Sequence, residues 1–265
     1  MKLSLCLETQ FEDQPFPERI KSAATHGYKA FEFWDWRDKP VEAVARTARQ
    51  LGLTIAAMSG NRQHPLIDPV ARGGLIGEVL EVLEVAEKLS CKCLMMLSDA
   101  LAPDGSAMAT PPMTTEEKIR SMVEGLRVLS RPAEPAGVTL LLEPLNSLID
   151  HPGCFLDSVA LAVEVVGRLN SPRVKVLYDI YHMHVMGKNV LREIENNQEW
   201  IGYFHVADSP GRHQPGTGEI DYAAVGELLG RLKYRGFVGM EFAPLGPSAE
   251  AVKAPIETFA RFTHA

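Results

Sequence analysis

The chain has 265 residues, 46% hydrophobic and 23% charged, with a formal net charge of -7 and no basic stripe. That acidity argues against a nucleic-acid partner, which is held through clustered Lys and Arg, and no apolar run approaches the roughly 18 residues of a membrane span. The length suits one large domain over 1–265, with a full core and room for a small-molecule substrate.

The amino terminus, M-K-L-S-L-C-L-E, enters a strand-like alternation with no signal-peptide core, so a cytoplasmic location is expected. Cys6, Cys91, Cys93 and Cys154 lack zinc-hook spacing and read as reduced core thiols, Cys91 and Cys93 falling on one face of a strand. A homo-oligomer is compatible with this composition, although no helix face carries a clear oligomerisation signal.

Apolar runs of about five residues alternate with amphipathic stretches of ten or more, as parallel βα units require. The first strand is Leu3 to Leu7, followed by a helix entered at Pro17 and closed near Gly27. The second is Ala30 to Trp34, with Asp38 as cap and Pro40 in the first turn of the next helix. Thr54 to Met58 makes the third, and a loop from Ser59 to Gly74 leads into a helix that buries Leu80, Leu83, Val85 and Ala86.

Cys93 to Leu97 is the fourth strand. The Ala-, Pro- and Gly-rich loop from Ser98 to Thr114 is expected to cover the site, and Thr114-x-x-Glu117 is a capping box that opens the next helix. Val138 to Glu143 is the fifth strand, with a helix from Phe155 to Leu169. Val174 to Tyr178, Trp200 to His205 and Phe237 to Glu241 complete the set, and a last helix involves Pro255. Near-continuous apolar strands, with no G-x-G-x-x-G after the first, predict a closed α/β barrel, a single-domain (β/α)8 TIM barrel.

In such a barrel the carboxyl ends of all strands open on one face. The last four strands bring Glu143, Asp179, His205 and Glu241 there. Taken singly, each is a common helix cap, loop acid or core histidine. Together they make a ligand set for one divalent metal ion, Mg2+, Mn2+ or Zn2+, and three adjacent carboxylates without a cation would repel one another.

His182, three residues past Asp179, is placed to ligate or to hold substrate, or packs on Tyr178 or Tyr181. Arg212, in the loop H-V-A-D-S-P-G-R-H-Q-P-G-T-G-E-I-D, is the candidate anchor for an anionic group. His184 is expected to point elsewhere, and His213, Gln214 and Glu219 to structure the loop. Glu8, Trp34 and Trp36 supply wall and polar contact, and Asn61, Arg62 and His64 reach the substrate from above. Glu32, inside the second strand, calls for a buried Lys or Arg partner.

The strings E-P-L-N from Glu143, P-G-C-F-L from Pro152, Y-D-I-Y-H-M from Tyr178, the His205 loop and G-M-E-F from Gly239 resemble the hydroxypyruvate isomerase family. That family belongs to the xylose isomerase-like barrels, with ketose 3-epimerases, inosose-related enzymes and endonuclease IV. The resemblance spans nearly the whole chain, and P-G-R-H-x-P-G-x-G-E-I-x-Y is its most specific part.

The resemblance implies a metal held by Glu143, Asp179, His205 and Glu241, with Glu143 and Glu241 as the proton-transfer pair. His205 stands where hydroxypyruvate isomerases often carry Gln and epimerases His. Ile149 stands where epimerases place an acid, so that contact to the sugar is either lost or supplied by Asp150, and the loop S-G-N-R-Q-H-P-L departs from the hydroxypyruvate isomerase pattern. The implied reaction moves a carbonyl between adjacent carbons, as in hydroxypyruvate to tartronate semialdehyde. A 3-epimerase or inosose-type enzyme uses the same parts, and an endonuclease IV-like nuclease or a non-catalytic sugar-binding barrel are the readings from other classes.

Overall fold

The computed structural model describes residues 1–262. Eight parallel strands close on themselves in sequence order: β1 (Lys2–Cys6), β2 (Ala30–Phe33), β3 (Thr54–Ser59), β4 (Cys93–Leu97), β5 (Thr139–Glu143), β6 (Val174–Asp179), β7 (Ile201–Val206) and β8 (Phe237–Met240). Outside them run α1 (Phe16–Thr25), α2 (Val41–Leu51), α3 (Arg72–Leu89), α4 (Thr115–Ala133), α5 (Val159–Leu169), the short α6 (Ile180–Val185) and α7 (Val190–Asn197), α8 (Tyr222–Arg231), α9 (Ser248–Ala251) and α10 (Lys253–Phe259). The expected (β/α)8 barrel is the observed fold.

Closure divides the buried side chains into two layers, because successive residues of a strand point to opposite faces. Outward residues such as Phe31, Ile55, Leu94, Leu140, Leu142 and Val176 pack against the helices in the main core. Inward residues Ala30, Ala56, Met95, Leu141, Leu177 and Tyr203 fill the barrel itself. Each fully buried Leu, Val or Phe side chain stabilises the fold by about 1.5–3 kcal/mol, and burial on both strand faces explains why the strands read as continuous apolar runs.

Several local expectations shift. Pro40 takes the position before α2 and no side chain caps that helix, while Asp38 pairs with Lys39 at 2.7 Å. Leu80 is 44% exposed, on the outer face of α3. Residues 155–158 are not helical, α5 beginning only at Val159, and Asp99 Oδ2 accepts the Phe155 N–H at 2.9 Å. Of the C-x-C pair only Cys93 lies in β4, and all four cysteines are free thiols. The capping box is formed at α4, Thr114 accepting from the Glu117 N–H and Glu117 from the Thr114 N–H.

Candidate metal centre

Strand register sets the site. In the barrel Asp179 lies beside His205 and His205 beside Gly239. Glu143 ends β5 and Glu241 follows β8 directly. One potential ligand atom from each of Glu143, Asp179, His205 and Glu241 falls within 4.8 Å of the other three, and all four residues are buried. His205 Nδ1 lies 3.2 Å from Glu143 Oε1 and 3.6 Å from Glu241 Oε2.

The donor set fits a divalent cation. Asp179 uses Oδ1 to accept the His182 N–H at 3.0 Å, capping α6, and its Oδ2 stays buried without a hydrogen-bond partner beside the cluster. Three carboxylates and one imidazole at such spacing match the hard-to-borderline ions that take oxygen and nitrogen ligands. Glu143, Asp179, His205 and Glu241 are the residues that would hold the ion.

Each carboxyl responds to a different balance. Burial raises Glu143, against His205, and pushes Asp179 up to about 7 despite the nearby positive charges of Arg212 and His205. For Glu241 burial also works upward, but His205 and Arg212 outweigh it and hold the carboxyl below its ordinary value. His205 is raised well above the ordinary histidine value, since the carboxylates of Glu241, Glu32 and Glu143 overcome its own desolvation.

Among the described residues Glu32 has no Lys or Arg partner. It is fully buried in the barrel, accepts the Tyr203 hydroxyl, and places Oε1 2.9 Å from His205 Nε2. Gly239 makes this possible, because a Cβ there would lie 2.4 Å from Glu32 Oε1 and 2.7 Å from His205 Cδ2.

Around the cluster lies a cavity of about 440 Å³ lined by residues from several strand ends, among them Trp34, Arg62, His182 and Arg212. Trp34 Nε1 donates to Glu241 Oε1 at 2.7 Å, and Arg212 Nη2 donates to Glu241 Oε2. Arg212 sits at φ 56 after Gly211 at φ 94, in the loop whose backbone N–H groups at Ser209, Gly216, Gly218 and Ile220 all donate to Asp208.

His182 has a defined tautomer. Asn146 Oδ1 accepts the Ile149 and Asp150 N–H groups, so its amide nitrogen faces His182 Nδ1 at 2.7 Å and donates to it. The remaining proton is on Nε2, 3.6 Å from Asp179 Oδ2, and burial keeps the ring neutral, well below the ordinary histidine value. The ring also packs on Tyr181, with centroids 5.5 Å apart.

Other candidates lie elsewhere. His64 turns its Nδ1 to Glu78 at 3.1 Å and is not among the cavity-lining residues. Asn61 bonds to Leu97 and the His64 carbonyl, and Glu8 accepts from Trp34 N, Asp35 N and Lys39. Trp36 lies under Arg37 rather than at the cavity wall. His184 pairs with Glu219 at 3.0 Å, His213 Nδ1 contacts the Ala243 carbonyl, and Gln214 accepts the Leu245 N–H. Asp150 accepts from Asn146 and Ile149 is 64% exposed, so neither lines the cavity.

The loop between β4 and α4 does cover the site, through Leu101, Ala102, Pro103 and Gly105. Ser59 and His151 also line the cavity without having been singled out. For His151 the available signal was a histidine in the loop after Glu143.

Comparison with known proteins agrees with this fold. A candidate hydroxypyruvate isomerase of Xenopus laevis is 28% identical over 95% of this chain and 94% of its own length. A 2-oxo-tetronate isomerase of Pectobacterium atrosepticum is 25% identical, covering 95% of each chain, and a 3-dehydro-D-guloside 4-epimerase of Escherichia coli is 29% identical over 76% of each. A solved structure described as an AP endonuclease, family 2, from Brucella melitensis superposes with a TM-score of 0.88 at 27% identity, covering 99% of both chains. The xylose isomerase-like TIM barrel family profile matches residues 20–261, and the chain belongs to that family.

Proposed function

We propose that the protein is a metal-dependent isomerase that moves a carbonyl between adjacent carbons of a small hydroxy-keto acid, hydroxypyruvate to tartronate semialdehyde being the simplest case. The observation that carries this reading is the buried cluster itself, two glutamates, an aspartate and a histidine with ligand atoms within 4.8 Å of one another, the two glutamates lining one cavity. The relatives named as isomerases support it.

A divalent cation held by the four residues supplies Lewis-acid stabilisation of the negative charge that develops on the substrate oxygens. The remaining work belongs to the chain. Glu143 and Glu241 form the proton-transfer pair: one removes the proton from the carbon bearing the hydroxyl, and the same or the other returns it to the neighbouring carbon. Trp34 and Arg212 fix the orientation of Glu241. His182, with its Nε2 proton free of a hydrogen-bond partner, donates to a substrate oxygen. The loop through Leu101 and Pro103 limits water at the reacting carbons.

The test is deuterium incorporation. The Mn2+-loaded protein, given hydroxypyruvate and related hydroxy-ketones in D2O, should place deuterium on the carbon next to the carbonyl. Glu143→Gln and Glu241→Gln should each slow this by about 10²–10⁴-fold. Near-normal turnover in a variant that still holds metal would refute the assignment.

Epimerisation is the second reading, favoured by the 4-epimerase relative and by a histidine rather than glutamine at position 205. It returns the proton to the same carbon from the opposite face, so the product's constitution decides between the two. A nuclease reading has less support. Among the described residues the metal-capable cluster contains one histidine, and the net charge of -7 disfavours a DNA-binding groove.

A further inference from the structure

The segment from Ala100 to Met113 roofs the cavity through Leu101, Ala102, Pro103 and Gly105, yet no residue in it from Leu101 onward is buried. Its own hydrogen bonds fold it on itself: Gly105 N–H donates to the Ala102 carbonyl, Ala102 N–H to Ser106, Met108 N–H to Ala100, and Asp104 accepts from Ser106. Among the described residues, two hydrogen bonds leave the segment for the rest of the chain. One runs from the Ala107 N–H to the Pro152 carbonyl and the other from His151 to the Gly105 carbonyl, each 2.9 Å long. A roof with no buried side chain and two such ties opens locally at small cost in free energy.

The root of the segment is fixed more firmly. Asp99 Oδ2 accepts the Phe155 N–H and the Ser98 hydroxyl, and both Ser98 and Asp99 are buried. The part free to lift is the tip, which ends on Gly105 at φ 87. A Cβ at Gly105 would lie 2.6 Å from the Asp150 carbonyl oxygen, so the close seat of the tip on the loop after β5 depends on glycine.

His151 stands between that tip and the metal cluster. Its N–H donates to the Asn146 carbonyl and its carbonyl accepts the Cys154 N–H, which fixes the loop from which the ring projects. A carbonyl oxygen only accepts, so Nδ1 carries the proton toward Gly105. Nε2 is buried without a partner, which leaves the bond to Gly105 as the hydrogen bond the ring makes. Burial lowers the imidazole from its ordinary value and keeps this neutral form. The same ring meets His182 edge-on, with centroids 5.2 Å apart.

We propose that His151 is a positioning residue, a latch whose Nδ1–H holds the Gly105 tip down over the cavity while its ring supports His182, so that closing the roof and placing the His182 Nε2 proton are one event. Asn146 sets the tautomer of His182 through Nδ1, and His151 supports the ring against rotation. The consequence for turnover rests on the isomerase reading; the latch itself does not.

Exchange of the Ala107 amide, followed by NMR on the Mg2+-loaded protein, reports whether the tip is down, because that amide makes the other tie. His151→Phe keeps a ring against His182 and removes the donor, and should speed this exchange by about 3–10-fold. His151→Asn removes the ring but keeps an N–H as many bonds from the backbone as Nδ1, and should leave the exchange at its wild-type rate. Gly105→Ala, which forces the tip off Asp150, should behave as His151→Phe does.

Turnover of hydroxypyruvate by the Mn2+-loaded variants should divide along the same line. His151→Phe and Gly105→Ala should raise KM by about 3–10-fold with kcat kept. His151→Asn should lower kcat by about tenfold with KM kept, since His182 has lost its support. An Ala107 exchange rate in His151→Phe equal to wild type, or one in His151→Asn equal to that of His151→Phe, would overturn the latch. KM and kcat moving together in all three variants would overturn the link to His182. Absence of turnover in the wild-type protein would sink the isomerase reading instead, and the amide rates would still decide the latch.

Discussion

His205 Nε2 lies 2.9 Å from Glu32 Oε1 in the interior of the barrel, while His205 Nδ1 faces the carboxylates of Glu143 and Glu241. A metal-binding histidine is commonly oriented through its second nitrogen by a carboxylate, which fixes the tautomer and strengthens the ligand. Glu32→Gln should therefore lower Mn2+ affinity by about 10–100-fold, measured by calorimetry, with the circular dichroism spectrum retained. Unchanged affinity would remove Glu32 from any role in holding the ion.

Gly239 leaves the space that this pair occupies. Gly239→Ala would bring a methyl within 2.4 Å of Glu32 Oε1 and 2.7 Å of His205 Cδ2, so one side chain must move. The expected result is a loss of metal affinity comparable to that of Glu32→Gln, together with a lower Tm from overpacking of about 1–3 kcal/mol. A variant with wild-type values on both measures would contradict the arrangement.

Metal affinity should rise with pH. Burial raises the Asp179 carboxyl to about 7 and raises Glu143, and His205 is also raised. Groups with folded values above their unfolded ones bind more protons in the folded state, so their stabilising effect on the metal-free protein is lost as pH increases through those values. Glu241, held below its ordinary value, stays ionised throughout this window. Protons and cation compete for the same atoms. Apparent Mn2+ affinity should climb from about pH 5 and go on climbing above the Asp179 value of about 7, because His205 still holds its proton there, while the apo Tm declines over the same interval.

Asp208 organises the loop that presents Arg212, accepting four backbone N–H groups at 2.8 to 3.1 Å. Asp208→Ala leaves those donors without their acceptor and should cost about 3 kcal/mol or more. KM should rise as well, because Arg212 loses its fixed position. Denaturant unfolding and substrate titration read the two effects separately.

The four cysteines should be poor nucleophiles in the native state. Burial raises all four thiols, Cys91 and Cys93 to about 12, so little thiolate exists at neutral pH. A thiol reagent should label the folded protein slowly and the unfolded protein at all four positions. Rapid native labelling at any of them would show an opening that the closed barrel does not.

Periodicity alone was enough to identify the eight strands and the order of the chain, because strand and helix repeats are local and burial on both strand faces leaves a continuous apolar signature. The capping box at Thr114 and Glu117 was legible for the same reason. So were the ligand-type residues at the last four strand ends, since the polar residue that ends an apolar run marks the mouth of a barrel.

Partner choice across the barrel was not local. Glu32 finds Tyr203, 171 residues away, and His205 only when β1 and β8 close the sheet. His64 turns to Glu78 on α3, leaving Arg62 from the same loop at the cavity, and His151 is placed there by a carbonyl at Gly105. A stretch of sequence states which side chains stand at a strand end, but the direction each one faces depends on neighbours supplied by distant strands, and barrel closure decides those neighbours.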